Sequence, residues 1–184
     1  MQKTVTALLQ HHQVITENSD AARQLLKSHF GTKLSDGRIR LAAVEALYLA
    51  EKKRLLVVNG KNKQLSFDRL LLKLKYSKEL WTAYVVFRDL RENGYIVKAG
   101  TKFGGEFRAY DKDSGMREHS KWIVFPVHAR QKLLWQDFSA KVRVAHSTQK
   151  KLLVAVVDEE DRWQEHVPVF DDIEQHQRHD HRRA

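Results

Sequence analysis

Ser77-Lys-Glu-Leu-Trp-Thr-Ala-Tyr-Val-Val-Phe-Arg-Asp-Leu-Arg-Glu-Asn-Gly94 is the stretch on which the reading of this chain turns. Leu80, Tyr84, Phe87 and Leu90 recur on one face of a long amphipathic helix beginning near Ser77. Asn93-Gly94 ends it, because either residue tolerates the left-handed geometry that terminates helices. Just before it, between Lys75 and Lys78, the apolar pattern pauses. The expected boundary therefore falls at about residue 77, with one domain over 1–77 and a second over 78–184.

The segment before the boundary reads as a small mixed unit. Val5 to Leu9 and Gln13 to Thr16 are short strands around a His-rich turn, and Ser19 or Asp20 caps a helix through Ala21 to Phe30. Leu41, Val44, Leu47 and Tyr48 recur at helical spacing. Arg54-Leu-Leu-Val-Val then reads as a strand, Asn59-Gly60 as a turn and Ser66 as the start of a helix reaching about Lys75.

After the boundary the chain is strand-rich. Tyr95 to Lys98, Glu106 to Tyr110, Lys121 to Val127, Leu152 to Val157 and Trp163 to Phe170 carry the β-branched and aromatic content of strands. A helix from about Leu134 to His146 interrupts them, so the fold class is α/β (α+β) rather than all β. Gly100, Gly104 and Gly105 mark tight turns or close backbone approach. The tail from Gln175 to Ala184 is polar.

Composition narrows the function. The 184 residues are 42% hydrophobic and 30% charged, which favours a folded globular protein over a disordered one. A net charge of +10 raises the expectation of a polyanionic partner without settling it. There is no cysteine, which excludes disulfides and cysteine-ligated zinc. The first residues do not read as a signal peptide, and no stretch approaches the roughly 20 apolar residues of a membrane helix, so a cytoplasmic protein is expected.

Three residues in the second half carry proton chemistry. Tyr110 ends Phe103-Gly-Gly-Glu-Phe-Arg-Ala-Tyr, His119 opens the run Glu118-His-Ser-Lys-Trp-Ile-Val-Phe, and Lys150 precedes Lys151-Leu-Leu-Val-Ala-Val-Val. A strand period of two puts Tyr110 on the face of Arg108, opposite Phe107 and Ala109. His119 is expected at a strand start, partly exposed and able to change protonation near neutral pH. Lys150 stands where a helix hands over to a strand. Taken singly, each is better explained as an ordinary strand-end or surface residue. Together, a phenol, an imidazole and an ammonium match the base, acid and cation that RNA cleavage without a metal requires.

These segments, with Leu41-Ala-Ala-Val-Glu-Ala-Leu-Tyr-Leu and Phe87-Arg-Asp-Leu-Arg-Glu-Asn-Gly-Tyr-Ile-Val-Lys-Ala-Gly, make the chain resemble the archaeal tRNA-splicing endonucleases over nearly its whole length. The resemblance implies a small α/β amino-terminal domain followed by a restriction-endonuclease-like catalytic domain with a mixed sheet and flanking helices. It implies Tyr110 as general base, His119 as general acid and Lys150 as transition-state stabiliser. Precursor tRNA would be cut at bulge-helix-bulge junctions, leaving 2',3'-cyclic phosphate and 5'-hydroxyl ends, with no metal and no cofactor. Consistently, the second half has no acidic pair followed by Glu-x-Lys of the kind a metal-dependent nuclease of that fold would want.

The same resemblance makes Arg143 the arginine that stacks on a flipped bulge base, with Arg162 or Trp163 as the second member of that clamp. It makes Asp158, Glu159, Glu160 and Asp161 an acidic turn that contacts a neighbouring subunit in a homotetramer, or in a heterotetramer with a structural subunit. This turn lacks the usual glycine, and Gln149 stands where an arginine often precedes the lysine. The histidines of the tail, His176, His179 and His181, are expected to be solvated rather than metal-bound. A noncatalytic subunit of the same complex is the alternative reading.

Overall fold

A computed structural model of the protein describes residues 4–99, 107–110, 119–160 and 163–166. Within them the element order is β1 (Val5–Gln10), β2 (Gln13–Thr16), α1 (Asp20–Lys27), β3 (Thr32–Lys33), β4 (Ile39–Leu41), α2 (Ala43–Glu51), β5 (Leu55–Val58) and α3 (Phe67–Lys73). There follow α4 (Lys78–Glu92), β6 (Ile96–Ala99), β7 (Phe107–Tyr110), β8 (Trp122–His128), α5 (Trp135–Ser147), β9 (Lys151–Val157) and β10 (Trp163–His166). Gly100, Gly104, Gly105, the part of the expected last strand beyond His166 and the tail histidines lie outside the described residues.

Local chemistry accounts for most boundaries. Ser19, Ser66 and Ser77 each accept a hydrogen bond from a backbone N–H in the first turn of α1, α3 and α4, a cap worth about 1 kcal/mol. The β1–β2 hairpin closes through His11 and His12, both at positive φ. His12 Nδ1 donates to the carbonyl of Lys73 at 2.9 Å, tying the hairpin to the end of α3. Strands β3 and β4 are missing from the sequence reading. They are two and three residues long, and Leu41, grouped by spacing with the next helix, belongs to β4.

The first sheet has the order β3-β4-β2-β1-β5 and the second β10-β9-β8-β7-β6. Among the described residues β1–β5 and β8–β9 are the parallel pairs, and the other pairings are antiparallel. Both sheets are mixed, as expected for this fold class.

Helix α4 joins the two units. Its Phe87 ring meets Tyr48 of α2 at 5.8 Å on one side and Phe107 of β7 at 5.6 Å on the other. The single stripe expected from sequence is therefore too narrow: Thr82 to Phe87 are all buried, because α4 packs on both sides. Helix α5 covers the opposite face of the second sheet, where Ile123, Leu152 and Ala145 form a smaller cluster with Phe125, Phe138, Val142 and Val154.

Sequence reasoning did not find the polar junction between the units. Glu45, 3% exposed, accepts from the Gly31 N–H at 3.0 Å and the Ala42 N–H at 2.9 Å. Lys98 of β6 donates to Gly31 O at 3.0 Å, and Arg91 of α4 donates to Ser28 O at 2.8 Å while stacking over Phe30. Burial pushes the Glu45 carboxyl up, offset in part by the two N–H donors and by Lys98 and Arg91. With the folded pKa above the unfolded one, ionisation weakens the folded state; the cost is absent below the unfolded value and complete above the folded value. In urea unfolding at a series of pH values, wild type should therefore lose stability relative to Glu45→Gln as pH rises above about 4.3, the ordinary glutamate value. A gap that stays flat or widens would contradict this.

Candidate functional site

The second sheet brings three chain-distant segments to one of its ends. In the β7–β8 ladder Ala109 faces Trp122, and in the parallel β8–β9 ladder Trp122 faces Lys151. Where these ladders end, Lys151 N–H bonds to Lys121 O at 3.0 Å, and Lys121 N–H bonds to Ala109 O at 3.1 Å, one residue out of the β7–β8 register. The C-terminal end of β7 and the N-terminal ends of β8 and β9 therefore lie side by side. Tyr110, His119 and Lys150 occupy those three ends.

Tyr110 is 8% exposed. Strand alternation places it on the face of Arg108, where Arg108 is exposed and Tyr110 is buried. His119 is exposed and precedes β8 by three residues, followed by Ser120 at 6% exposure.

Lys150 owes its position to the end of α5. Gln149 adopts φ 54, with its N–H bonded to His146 O at 3.0 Å and the Lys150 N–H bonded to Ala145 O at 2.9 Å. This pair of bonds is a Schellman cap. It turns the chain directly from helix into β9 and leaves Lys150 half-buried, its Nζ donating to Thr148 O at 3.0 Å. Because a left-handed conformation costs a residue with a Cβ about 1–2 kcal/mol, Gln149→Gly should fold at least as stably as wild type. A fall in melting temperature would argue against the cap.

Arg143 is exposed on α5. It lies two residues before Ala145, which packs on the sheet, so about 200° of helix rotation turns it outward. The structure gives it no hydrogen bond to the three end residues. Asp158, Glu159 and Glu160 lie at the far end of β9, about 20 Å from Lys151 at the ordinary strand rise. Glu160 N–H bonds to Asp158 Oδ1 at 3.0 Å, and Glu159 pairs with Arg130. Asp161 and Arg162 lie outside the described residues, and Trp163 opens β10. A groove of about 170 Å³ lined by Lys78, Glu79, Thr82, His128, Arg130 and Gln131 opens at the C-terminal end of β8, away from the three end residues. Among the described residues no three of His, Asp and Glu converge as a metal-ligand set, and no helix is long and apolar enough to cross a membrane.

Two mixed sheets sharing one helix, the second ending in a phenol, an imidazole and an ammonium group, define a two-unit α/β protein with a polar site at one sheet end. Comparison with known proteins narrows the class. Residues 5–71 match the tRNA intron endonuclease N-terminal domain, and residues 80–165 match the tRNA intron endonuclease catalytic C-terminal domain. Similar proteins include a tRNA-splicing endonuclease from Thermococcus kodakarensis, 38% identical over 80% of this chain and 86% of that protein. One from Thermococcus gammatolerans is 43% identical over 73% and 78%, and one from Methanothermobacter thermautotrophicus is 38% identical over 80% and 85%. The chain belongs to the tRNA intron endonuclease family.

Proposed function

We propose that this chain is the catalytic subunit of a tRNA-splicing endonuclease that cuts precursor tRNA at bulge-helix-bulge junctions without a metal. The observation that carries the reading is the gathering of Tyr110, His119 and Lys150 at the ends of three adjacent strands. Tyr110, acting as a phenolate with a cation such as Lys150 to favour that form, takes the proton of the 2'-hydroxyl, whose oxygen then attacks the adjacent phosphorus. His119 gives a proton to the departing 5'-oxygen, and the P–O5' bond breaks. Lys150 stabilises the charge on the phosphate as it becomes five-coordinate. The products are a 2',3'-cyclic phosphate and a 5'-hydroxyl, with atoms and charge balanced and no oxidant or cofactor required.

The test is incubation of the purified chain, in excess chelator, with a bulge-helix-bulge RNA, alone and together with a structural subunit. Cleavage leaving those two ends supports the reading. No cleavage under either condition favours a noncatalytic subunit. On this reading the chain divides at about residue 77 and works in the cytoplasm as a homotetramer, or as a heterotetramer with a structural subunit, using the turn at Asp158 to Asp161 as a contact. The mass of the chain in solution distinguishes the assemblies.

Arg143, turned outward on α5, is the candidate for stacking on a flipped base, with Arg162 or Trp163 as its partner. Stacking on an unstacked base is worth about 1–3 kcal/mol. Arg143→Ala should therefore reduce the preference for bulged over fully paired RNA by roughly tenfold or more, measured as a ratio of single-turnover efficiencies. An unchanged ratio would remove that role.

A further inference from the structure

We propose that the junction between α3 and α4, together with the turn after β5, is a second RNA-contact surface, remote from the cleavage site. Its lysines hold the phosphate backbone of the substrate RNA, and Tyr76 stacks on an unpaired base. The inference rests on the function proposed above and names a further place where that RNA is held.

Charge is concentrated at this junction. Residues 59–78 carry six lysines and arginines against one acid, Asp68, in a chain whose net charge is +10. All six are exposed, and among the described residues none of them forms a salt bridge.

The fold gathers them at one end of the first sheet. In the parallel β1–β5 ladder Leu8 faces Val58, so the turn after β5, with Lys61 and Lys63, emerges beside the tip of the β1–β2 hairpin. His12 of that tip bonds to the Lys73 carbonyl, which brings the C-terminal end of α3 to the same place. Lys75 and Lys78 follow directly in the connector to α4 and its first turn.

Stability does not account for this arrangement. Lys73 complements the negative end of the α3 dipole, but Lys78 stands in the first turn of α4, where the dipole disfavours a cation. Lys75 sits at φ 62, a left-handed conformation that glycine would adopt without strain. The apolar side chains divide in the same way. Leu70 and Leu74 are buried at 1% and 7% exposure, whereas Leu72 and Tyr76 are 68% and 53% exposed among the lysines. An RNA strand suits both features at once, because its phosphates neutralise the ammonium groups and an unstacked base covers the phenol ring.

Position identifies the part of the RNA concerned. At the other end of α4, Tyr95 N–H bonds to Leu90 O, and Ile96, which opens β6, pairs with Tyr110. The end of the sheet that carries Tyr110 therefore lies at the C-terminal end of α4, and the lysine cluster lies about 22 Å away at its N-terminal end. The cluster meets RNA beyond the splice junction rather than the scissile phosphate.

The double substitution Lys73→Gln/Lys75→Asn tests this beside a matched control, Lys27→Gln/Lys53→Asn. Each pair replaces one lysine in the last turn of a helix and one at positive φ, where asparagine is tolerated. Single-turnover cleavage at varied enzyme concentration gives the rate constant at saturation and the half-saturating concentration. It is run on full-length precursor tRNA and on a bulge-helix-bulge RNA trimmed of the tRNA body, over a range of salt, with melting temperatures alongside.

On precursor tRNA the Lys73/Lys75 pair should raise the half-saturating concentration roughly tenfold at low salt and lower the log–log salt slope by about 2. Tyr76→Ala should raise that concentration about fivefold or more. The rate constant at saturation, the values for trimmed RNA and those of the control pair should each move by less than about twofold. An unchanged half-saturating concentration on precursor tRNA overturns the proposal. So does an equal rise in the control pair, which would reflect net charge alone, or an equal rise on trimmed RNA, which would place the lysines at the cleavage region. A rise that tracks a lowered melting temperature would make them structural and also overturn it. Unaltered RNA parameters with a changed solution mass would assign the surface to an acidic partner subunit instead. A wild-type chain that cuts neither RNA, alone or with a structural subunit, overturns the proposed function and this inference with it; cleavage of both RNAs that ignores the cluster removes the inference alone.

Discussion

Replacing His119 with alanine should lower the single-turnover rate constant for cleavage of a bulge-helix-bulge RNA by about 10²- to 10⁴-fold, the range typical for loss of one positioned acid or base. RNA affinity should hardly change. The 5'-oxygen is a poor leaving group without a proton, so the loss falls on the chemical step rather than on binding. The structure makes the substitution a clean one. His119 is exposed, precedes β8 and lies outside both hydrophobic clusters, so among the described residues its truncation opens no cavity in the core. A fall in affinity as large as the fall in rate would mean that His119 binds RNA and does not act as the acid.

Glu45→Ala should be strongly destabilising, since each buried N–H left without its acceptor costs about 1–3 kcal/mol. Several unfavourable consequences coincide. The Gly31 and Ala42 N–H groups lose their acceptor, and Lys98 and Arg91 lose a neighbouring carboxylate. The connector between α1 and β3 has little freedom to compensate. Gly31 has φ +67, and a Cβ there would meet Ile39 Cγ2 at 2.5 Å and Arg40 O at 2.8 Å.

For a domain stable by about 5–15 kcal/mol this is a large share of the total. Strand β6, which carries Lys98, also pairs Ile96 with Tyr110, so the same change should loosen the strand that holds the candidate base. Urea or thermal unfolding measures the effect, and a loss below about 1 kcal/mol would show that the junction is not a stability centre.

Much of the fold is legible in the chain because local rules agree with the final packing. Ser66 and Ser77 start α3 and α4 where serine caps are expected, and Asn93-Gly94 ends α4 with Gly94 at φ 87. β-branched runs become β5, β8 and β9. Expectation fails where tertiary contacts override local pattern. β3 and β4 are too short to show a period. α4 is buried on both sides because α2 and the second sheet both claim it, and Tyr110 is buried although its alternation partner Arg108 is exposed.

Glu45 shows the limit from the other side. In sequence it is a polar residue in the run Leu41-Ala-Ala-Val-Glu-Ala-Leu-Tyr-Leu, and nothing local announces that it will bind the backbone fourteen residues upstream.

Sequence by itself determined which reactive groups are present, their order along the chain and the family to which they belong. Those properties are carried by residue identity and spacing. The tertiary structure alone decided that the end of β7 and the starts of β8 and β9 lie side by side. That outcome depends on an antiparallel β7–β8 pairing and on a parallel β8–β9 pairing reached through α5. Register is set by which faces α4 and α5 bury, and a slip of one residue in either ladder would send the side chains to the opposite face of the sheet.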